Sequence, residues 1–87
     1  ISKSSVIGMT KYLATYLAPK IRVNTIVPGG IQNNQKKEFI SKYSSLVPMK
    51  RMMKRDELLG AVEYLLSPKS SYVTGSTVFI DGGWTAW

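Results

Sequence analysis

Ile21-Arg22-Val23-Asn24-Thr25-Ile26-Val27-Pro28-Gly29-Gly30-Ile31 decides the fold. Mostly β-branched, apolar residues run straight into Pro-Gly-Gly, which predicts a buried strand over Ile21–Val27 ending abruptly in a loop. Val, Ile and Thr suit a pleated, packed surface, and a strand apolar on both faces suits a parallel sheet covered by helices. Pro28 has no N–H to give to a ladder, so pairing is expected to stop there. Gly29 and Gly30 permit turns that other residues resist and let the backbone approach something closely. Ligands of open α/β sheets bind just beyond the carboxyl ends of the strands, so this loop is the first candidate site.

Upstream of the strand, Ser2 to Ala18 reads as a helix closed by Pro19. Val6, Met9, Leu13 and Leu17 fall at helical spacing, with Ile7, Tyr12 and Tyr16 adding apolar surface on other faces. A helix apolar on several faces is expected to be buried on more than one side, against the sheet and against a partner subunit. Gly8 inside it costs about 1 kcal/mol relative to Ala, so it is read as permitting close packing.

Downstream, Gln32 to Pro48 is polar and Lys-rich, with a short helix expected around Gln35–Ser44 and Phe39, Ile40 and Tyr43 as its anchors. It is either a lid over the strand ends or a surface connection. Asp56 is the expected N-cap of a further helix, with Glu57 in its first turn, where the helix dipole favours a carboxylate. Leu58, Ala61, Val62, Leu65 and Leu66 give that helix its apolar face, and Ser67-Pro68 ends it. Val73-Thr74-Gly75 reads as a turn, and Thr77–Ile80 as a second strand closed by Asp81-Gly82-Gly83. Strand, helix and strand in this order imply a crossover and a parallel pair.

Composition bounds the function. A chain of 87 residues, 44% hydrophobic, holds one small domain and argues against global disorder. It begins at Ile1, which reads as a processed or trimmed piece. No apolar run approaches the roughly 20 residues of a membrane span, and no secretory signal pattern is present. The absence of Cys and His removes thiolate and imidazole metal sites and the commonest general base, and fits the cytoplasm. The net charge of +7, from 12 Lys and Arg against 5 Asp and Glu, raises a nucleic-acid reading at Lys50-Arg51-Met52-Met53-Lys54-Arg55. No aromatic interleaving accompanies that cluster, so a solvated loop or a surface matched to an anionic ligand is preferred, with no nucleic acid as partner.

Two strands cannot sustain a parallel sheet alone, and the free edge of the first would be open and apolar. Residues 1–87 are therefore expected to form the carboxyl-terminal segment of a larger α/β domain.

An ordered set of motifs carries a resemblance. Ser2-Lys3 opening a long helix, Ile21-Arg22-Val23-Asn24, Pro28-Gly29, Leu65-Leu66-Ser67, Tyr72-Val73-Thr74-Gly75 and Asp81-Gly82-Gly83 together resemble the carboxyl-terminal third of a short-chain dehydrogenase/reductase. The resemblance implies a Rossmann-like parallel sheet of which Ile21 opens the sixth strand and Thr77 the seventh. It implies an oxidoreductase that moves hydride between NAD or NADP and a small alcohol or carbonyl, in a homodimer or homotetramer. By the same resemblance Lys3 is the lysine of Tyr-x-x-x-Lys, its tyrosine falling second upstream of Ile1, with the family's serine, asparagine and glycine-rich loop also upstream. The segment alone is then expected to be inactive.

The role implied for Lys3 has a physical basis. An ammonium about 4 Å from a phenol favours the phenolate by about 4 kcal/mol at an effective dielectric near 20, bringing the phenol toward neutrality. Such a tyrosine trades a proton with the substrate oxygen while hydride moves to or from nicotinamide. The resemblance also gives Lys3 the nicotinamide ribose, and makes Pro28, Gly29, Ile31 and Asn33 the nicotinamide cradle. The Ile31 backbone would bond the carboxamide, and Asn33 stands where the family usually has Thr. Gln32 and Asn34 either face substrate or solvate the loop. The Lys-rich loop hints at a polar or anionic substrate such as a sugar derivative. Asn24 and Arg51 read as structural, Asp56, Glu57 and Asp81 as capping or turn carboxylates, and Trp84 and Trp87 as packing against another subunit or the substrate mouth. A noncatalytic assembly fragment and a basic nucleic-acid binder are the competing readings.

Overall fold

The computed structural model describes residues 2–86. Helix α1 spans Lys3–Leu17, strand β1 Thr25–Pro28, helix α2 Lys37–Leu46, helix α3 Arg55–Leu66 and strand β2 Thr77–Ile80. Short 3-10 turns at Pro68–Ser70 and Trp84–Ala86 follow α3 and β2. The strands are parallel, in register from Thr25 opposite Thr77 to Pro28 opposite Ile80. Among the described residues the sheet has these two strands only.

β1 begins at Thr25, four residues later than the apolar run suggests. Its upstream half pairs instead with the turn before β2. Val23 N–H donates to Thr74 Oγ1 at 3.0 Å, and Gly75 N–H to the Val23 carbonyl at 2.7 Å. Nor does pairing stop at Pro28, because Gly29 N–H donates to the Ile80 carbonyl at 2.8 Å. Proline removes only its own donor, and the next residue resumes the ladder.

Ser2 caps α1, its hydroxyl accepting from Ser5 N–H at 3.3 Å. The expected stripe of Val6, Met9, Leu13 and Leu17 is not the buried face: Thr10 and Ala14 are buried and Met9 is 57% exposed. Small side chains let the helix lie close to the strands. The Thr10 and Thr25 hydroxyls bond each other, and a Cβ on Gly75 would stand 3.4 Å from Ala14 Cβ. The large apolar residues Met9, Tyr12 and Tyr16 therefore face outward, and the two tyrosine rings stack at 6.0 Å. Gly8 is not a packing site among the described residues: outside its own helix, nothing lies within 4 Å of where a Cβ would stand.

Lys54, not Asp56, is the residue before α3, and Glu57 supplies the cap by accepting from Lys54 N–H at 2.9 Å. Leu58, Ala61, Val62 and Leu65 are half-buried, whereas Leu66, expected on that face, is 79% exposed. At the far end of α3, Arg22 donates to the Leu65 carbonyl at 2.9 Å and to the Val73 carbonyl at 3.1 Å. A cation thus meets the partial negative charge of a helix C-terminus. Asn24 joins the same junction, donating to the Val73 carbonyl and accepting from Ser76 N–H, both at 3.0 Å.

The buried apolar residues are Ala14, Val27, Val47, Met52 and Met53. The radius of gyration is 15.1 Å, against about 12 Å for a compact chain of this length. Broad apolar surfaces accordingly stay uncovered on α1, α3 and β2. Among the described residues no helix is long and apolar enough to cross a membrane.

Candidate active site

The loop after β1 is built from close approaches. Neither Gly29 nor Gly30 has a positive φ, so the expected turn freedom is not what they supply. They supply space. A Cβ on Gly29 would sit 3.0 Å from Asp81 Cα, and one on Gly30 would sit 2.6 Å from Tyr43 Cζ. Gly30 N–H donates to the Tyr43 hydroxyl at 2.7 Å. Beyond it, Met53 N–H donates to the Gly30 carbonyl at 2.9 Å and Gln32 N–H to the Met53 carbonyl at 2.7 Å, making a short parallel bridge between Ile31 and Met53. Gln35 clamps the next turn with both ends of its amide, donating to the Ile31 carbonyl at 2.9 Å and accepting from Asn33 N–H at 2.6 Å.

From Gly29 to Asn33 one donor is left over among the described residues. The N–H groups of Gly29, Gly30, Gln32 and Asn33 all have partners, whereas that of Ile31 has none. Ile31 is half-buried, and its N–H is an unpaired donor at the carboxyl end of β1. Asn33 is exposed and its side chain makes no hydrogen bond among the described residues.

Lys3 reaches the same end of the strands by geometry. Ala14 lies against Gly75, before β2, and Thr10 against Thr25, the first residue of β1, so α1 runs opposite to the strands. Seven helical residues back from Thr10 is about 10 Å, the length of a four-residue strand. Lys3 therefore stands near the level of Pro28 and Gly29. Electrostatics agree. Asp81, just beyond β2, has its pKa lowered first by the Thr85 hydroxyl, then by the Gly83 and Thr85 N–H groups, and also by the charge of Lys3. The Lys3 side chain is exposed and makes no hydrogen bond among the described residues.

The predicted site residues divide around the loop. Ile31 and Asn33 share an open groove of about 550 Å³ with Gln35, Arg55, Leu58 and Leu59. Gly29 lines a smaller cavity of about 110 Å³ on the other side, among Tyr43, Val47, Arg51, Glu57 and Asp81. Pro28 is exposed, and neither it nor Lys3 lines either one.

Sequence reasoning named Tyr43 only as an anchor and passed over Gln35 and Met53. Tyr43 stacks on Trp84 at 5.3 Å, so this tryptophan packs on its own chain; Trp87 lies outside the described residues. Met52 and Met53 are both buried, splitting the basic run from within. Two apolar residues between cations were the available signal. Arg51 is committed to Glu57 through a two-pronged ion pair of 2.6 and 2.7 Å. That bond, with the Lys54 N–H, holds the Glu57 pKa down to about 2.

Residues 1–85 match the family model described as Enoyl-(Acyl carrier protein) reductase. Nodulation protein G of Azospirillum brasilense is 45% identical over 87 residues, which cover 94% of this chain and 35% of that protein. Glucose 1-dehydrogenase 2 of Bacillus subtilis is 42% identical over 90 residues, covering 97% of this chain and 35% of that protein. The crystal structure of a short chain dehydrogenase from Leptospira borgpetersenii with bound NAD+ aligns with a TM-score of 0.88 at 50% identity, over 95% of this chain and 33% of that one. The chain thus spans about a third of the length of the relatives it matches. Its α/β arrangement is that of the Rossmann-like members of the group, and the chain belongs to the short-chain dehydrogenase/reductase family.

Proposed function

We propose that this chain forms the nicotinamide-side part of an NAD(P)(H)-dependent oxidoreductase acting on a small alcohol or carbonyl. The unpartnered Ile31 N–H carries the reading: it stands in the residue whose backbone the resemblance assigns to the carboxamide, and its neighbours are all satisfied. A donor fixed before the ligand arrives binds without the ordering cost a mobile one would incur. The loop around that donor is closely built, since a Cβ at Gly30 would collide with the Tyr43 ring and one at Gly29 would press on Asp81.

When bound, the nicotinamide accepts or gives the hydride. The protein's part is to hold it and to move a proton. Ile31 N–H would hold the carboxamide, and the exposed Asn33 amide, which makes no hydrogen bond among the described residues, would add a donor or an acceptor there. The Lys3 ammonium, above the strand ends, holds the ribose and lowers the pKa of the tyrosine that the family places four residues before it. That phenol exchanges its proton with the substrate oxygen as hydride moves. Activity on this reading belongs to the full-length protein. The outward faces of α1 and of α3 with β2, bearing Met9, Tyr12, Tyr16, Leu66 and Phe79, then meet the rest of the domain or a second subunit of a dimer or tetramer.

The test is turnover by the full-length protein, followed through nicotinamide absorbance with NAD(H) and NADP(H) against a panel of small alcohols and carbonyls. Activity that Lys3→Ala lowers about 10²- to 10⁴-fold in kcat supports the proposal. No turnover with any of them, or turnover indifferent to Lys3→Ala, defeats it.

A further inference from the structure

We infer that Tyr43 is a positioning residue for the dinucleotide, fastening helix α2 to the loop so that the Ile31 N–H is held in one direction. This rests on the nicotinamide reading of the loop given above. Two adjacent peptide planes are fixed from two sides. The N–H of Gly30 points at the Tyr43 hydroxyl, and the carbonyl of Gly30 receives the Met53 N–H. In a trans peptide the N–H points opposite to the carbonyl. Met53 therefore turns the Ile31 N–H away from itself, and Tyr43 stops the preceding plane from rotating out of line.

The same contact decides where α2 sits. None of its side chains is buried, and Lys36, the residue before it, makes no side-chain cap. A ten-residue helix of this kind has little stability of its own. Among its ties to the rest of the chain are Tyr43, bonded to Gly30 and stacked on Trp84, Val47 at its end, buried against Gly82, and the Lys50 ammonium on the Ser45 carbonyl. The fit is tight: a Cβ on Gly30 would stand 2.6 Å from Cζ and 2.8 Å from the hydroxyl oxygen of Tyr43. A disordered loop would not need such a fit, nor would a helix that only bridges two strands. Helix α2 and the loop that carries the Ile31 N–H thus share one side chain.

Tyr43→Phe in the full-length protein keeps the ring and its stack and removes only the acceptor for Gly30 N–H. The Kd and KM for NAD(H) or NADP(H) are expected to rise about two- to tenfold, with kcat at saturation nearly unchanged. Gly30→Ala drives the ring away and is expected to raise the same constants, reading the contact from its other side. A lower thermal midpoint with unchanged dinucleotide constants in both variants means a structural role only and overturns the inference. Unchanged constants with unchanged stability overturn it as well. If the unsubstituted protein binds neither dinucleotide, the nicotinamide reading itself falls. That failure shows in the parent protein rather than in the variants, so the two are told apart.

Discussion

The two ends of the strand pair are held by different means. At the amino ends, Arg22, Asn24 and Ser70 bind the backbone of α3 and of the turn before β2, Thr74 accepts from the Val23 N–H ahead of β1, and Ser70 is wholly buried. The Leu65 carbonyl has two donors, and so has that of Val73, besides any backbone bond. At the carboxyl ends the bonds hold the loop itself: the Tyr43 hydroxyl and the Met53 N–H hold Gly30, and the Gln35 amide holds the Ile31 carbonyl and the Asn33 N–H. The Ile31 N–H stays unpaired there among the described residues. On the reading proposed above, the difference separates stability at one end from ligand binding at the other, as expected of sheets whose ligands lie beyond the carboxyl ends.

Substitutions at the two ends should therefore fail in different ways. The largest effect is expected from Lys3→Ala, which removes the cation above the carboxyl ends. In the full-length enzyme kcat should fall about 10²- to 10⁴-fold while the denaturation midpoint stays put, because Lys3 is exposed and bonded to nothing among the described residues. Arg22→Ala is the converse. It removes charged donors from the Leu65 and Val73 carbonyls and should cost about 2–3 kcal/mol in chemical denaturation, with the dinucleotide KM of the folded fraction unchanged. A KM that shifted with Arg22 would dissolve the distinction between the ends.

Gly82→Ala sharpens the comparison next. Gly82 has φ +63°, and a Cβ there would meet Val47 Cγ1 at 2.8 Å. Both strain and overpacking oppose the change, which should cost about 1–3 kcal/mol. Because Val47 ends α2, this loss should come with weaker substrate binding, unlike the loss at Arg22.

The amino-acid sequence discloses these two ends unequally. β2 is legible to the residue, since Thr77–Ile80 is short, β-branched and bounded by glycine on both sides. The structural part of Asn24 is legible too, through resemblance, as its bonds to the Val73 carbonyl and the Ser76 N–H show. The start of β1 is not, because Val23 and Asn24 look like strand residues yet bond a turn some fifty positions away. The packed face of α1 is hidden for a related reason. Periodicity picks out Val6 and Met9, while a close helix–strand contact selects Thr10 and Ala14 for smallness, which hydrophobicity does not register. Met53 acts through its own backbone groups, which leave little trace in side-chain identity, and Gln35 acts by bonding its side-chain amide to the backbone of Ile31 and Asn33, a task many polar loop residues would look equally suited to.

The smallest effect separates the ends by pH. Glu57 is held to a pKa of about 2, against an ordinary 4.5, first by the Arg51 guanidinium and then by the Lys54 N–H. A carboxylate whose folded pKa is depressed stabilises the fold fully above its unfolded value, and that contribution is lost as pH falls from 4.5 through about 2. The pair is solvent-exposed, with 45% and 38% of the two side chains accessible, so its contribution is modest and weakens in salt. Glu57→Gln keeps an acceptor for Lys54 N–H but removes the charge. The variant should be slightly less stable than the parent at neutral pH, and the gap should close below pH 4.5. Asp81, also depressed, titrates alike in both proteins, so subtracting the two denaturation curves isolates Glu57. A gap that stayed constant across that window would mean that Arg51 and Glu57 meet through packing rather than charge, and the carboxyl end would lose its one strong electrostatic tie.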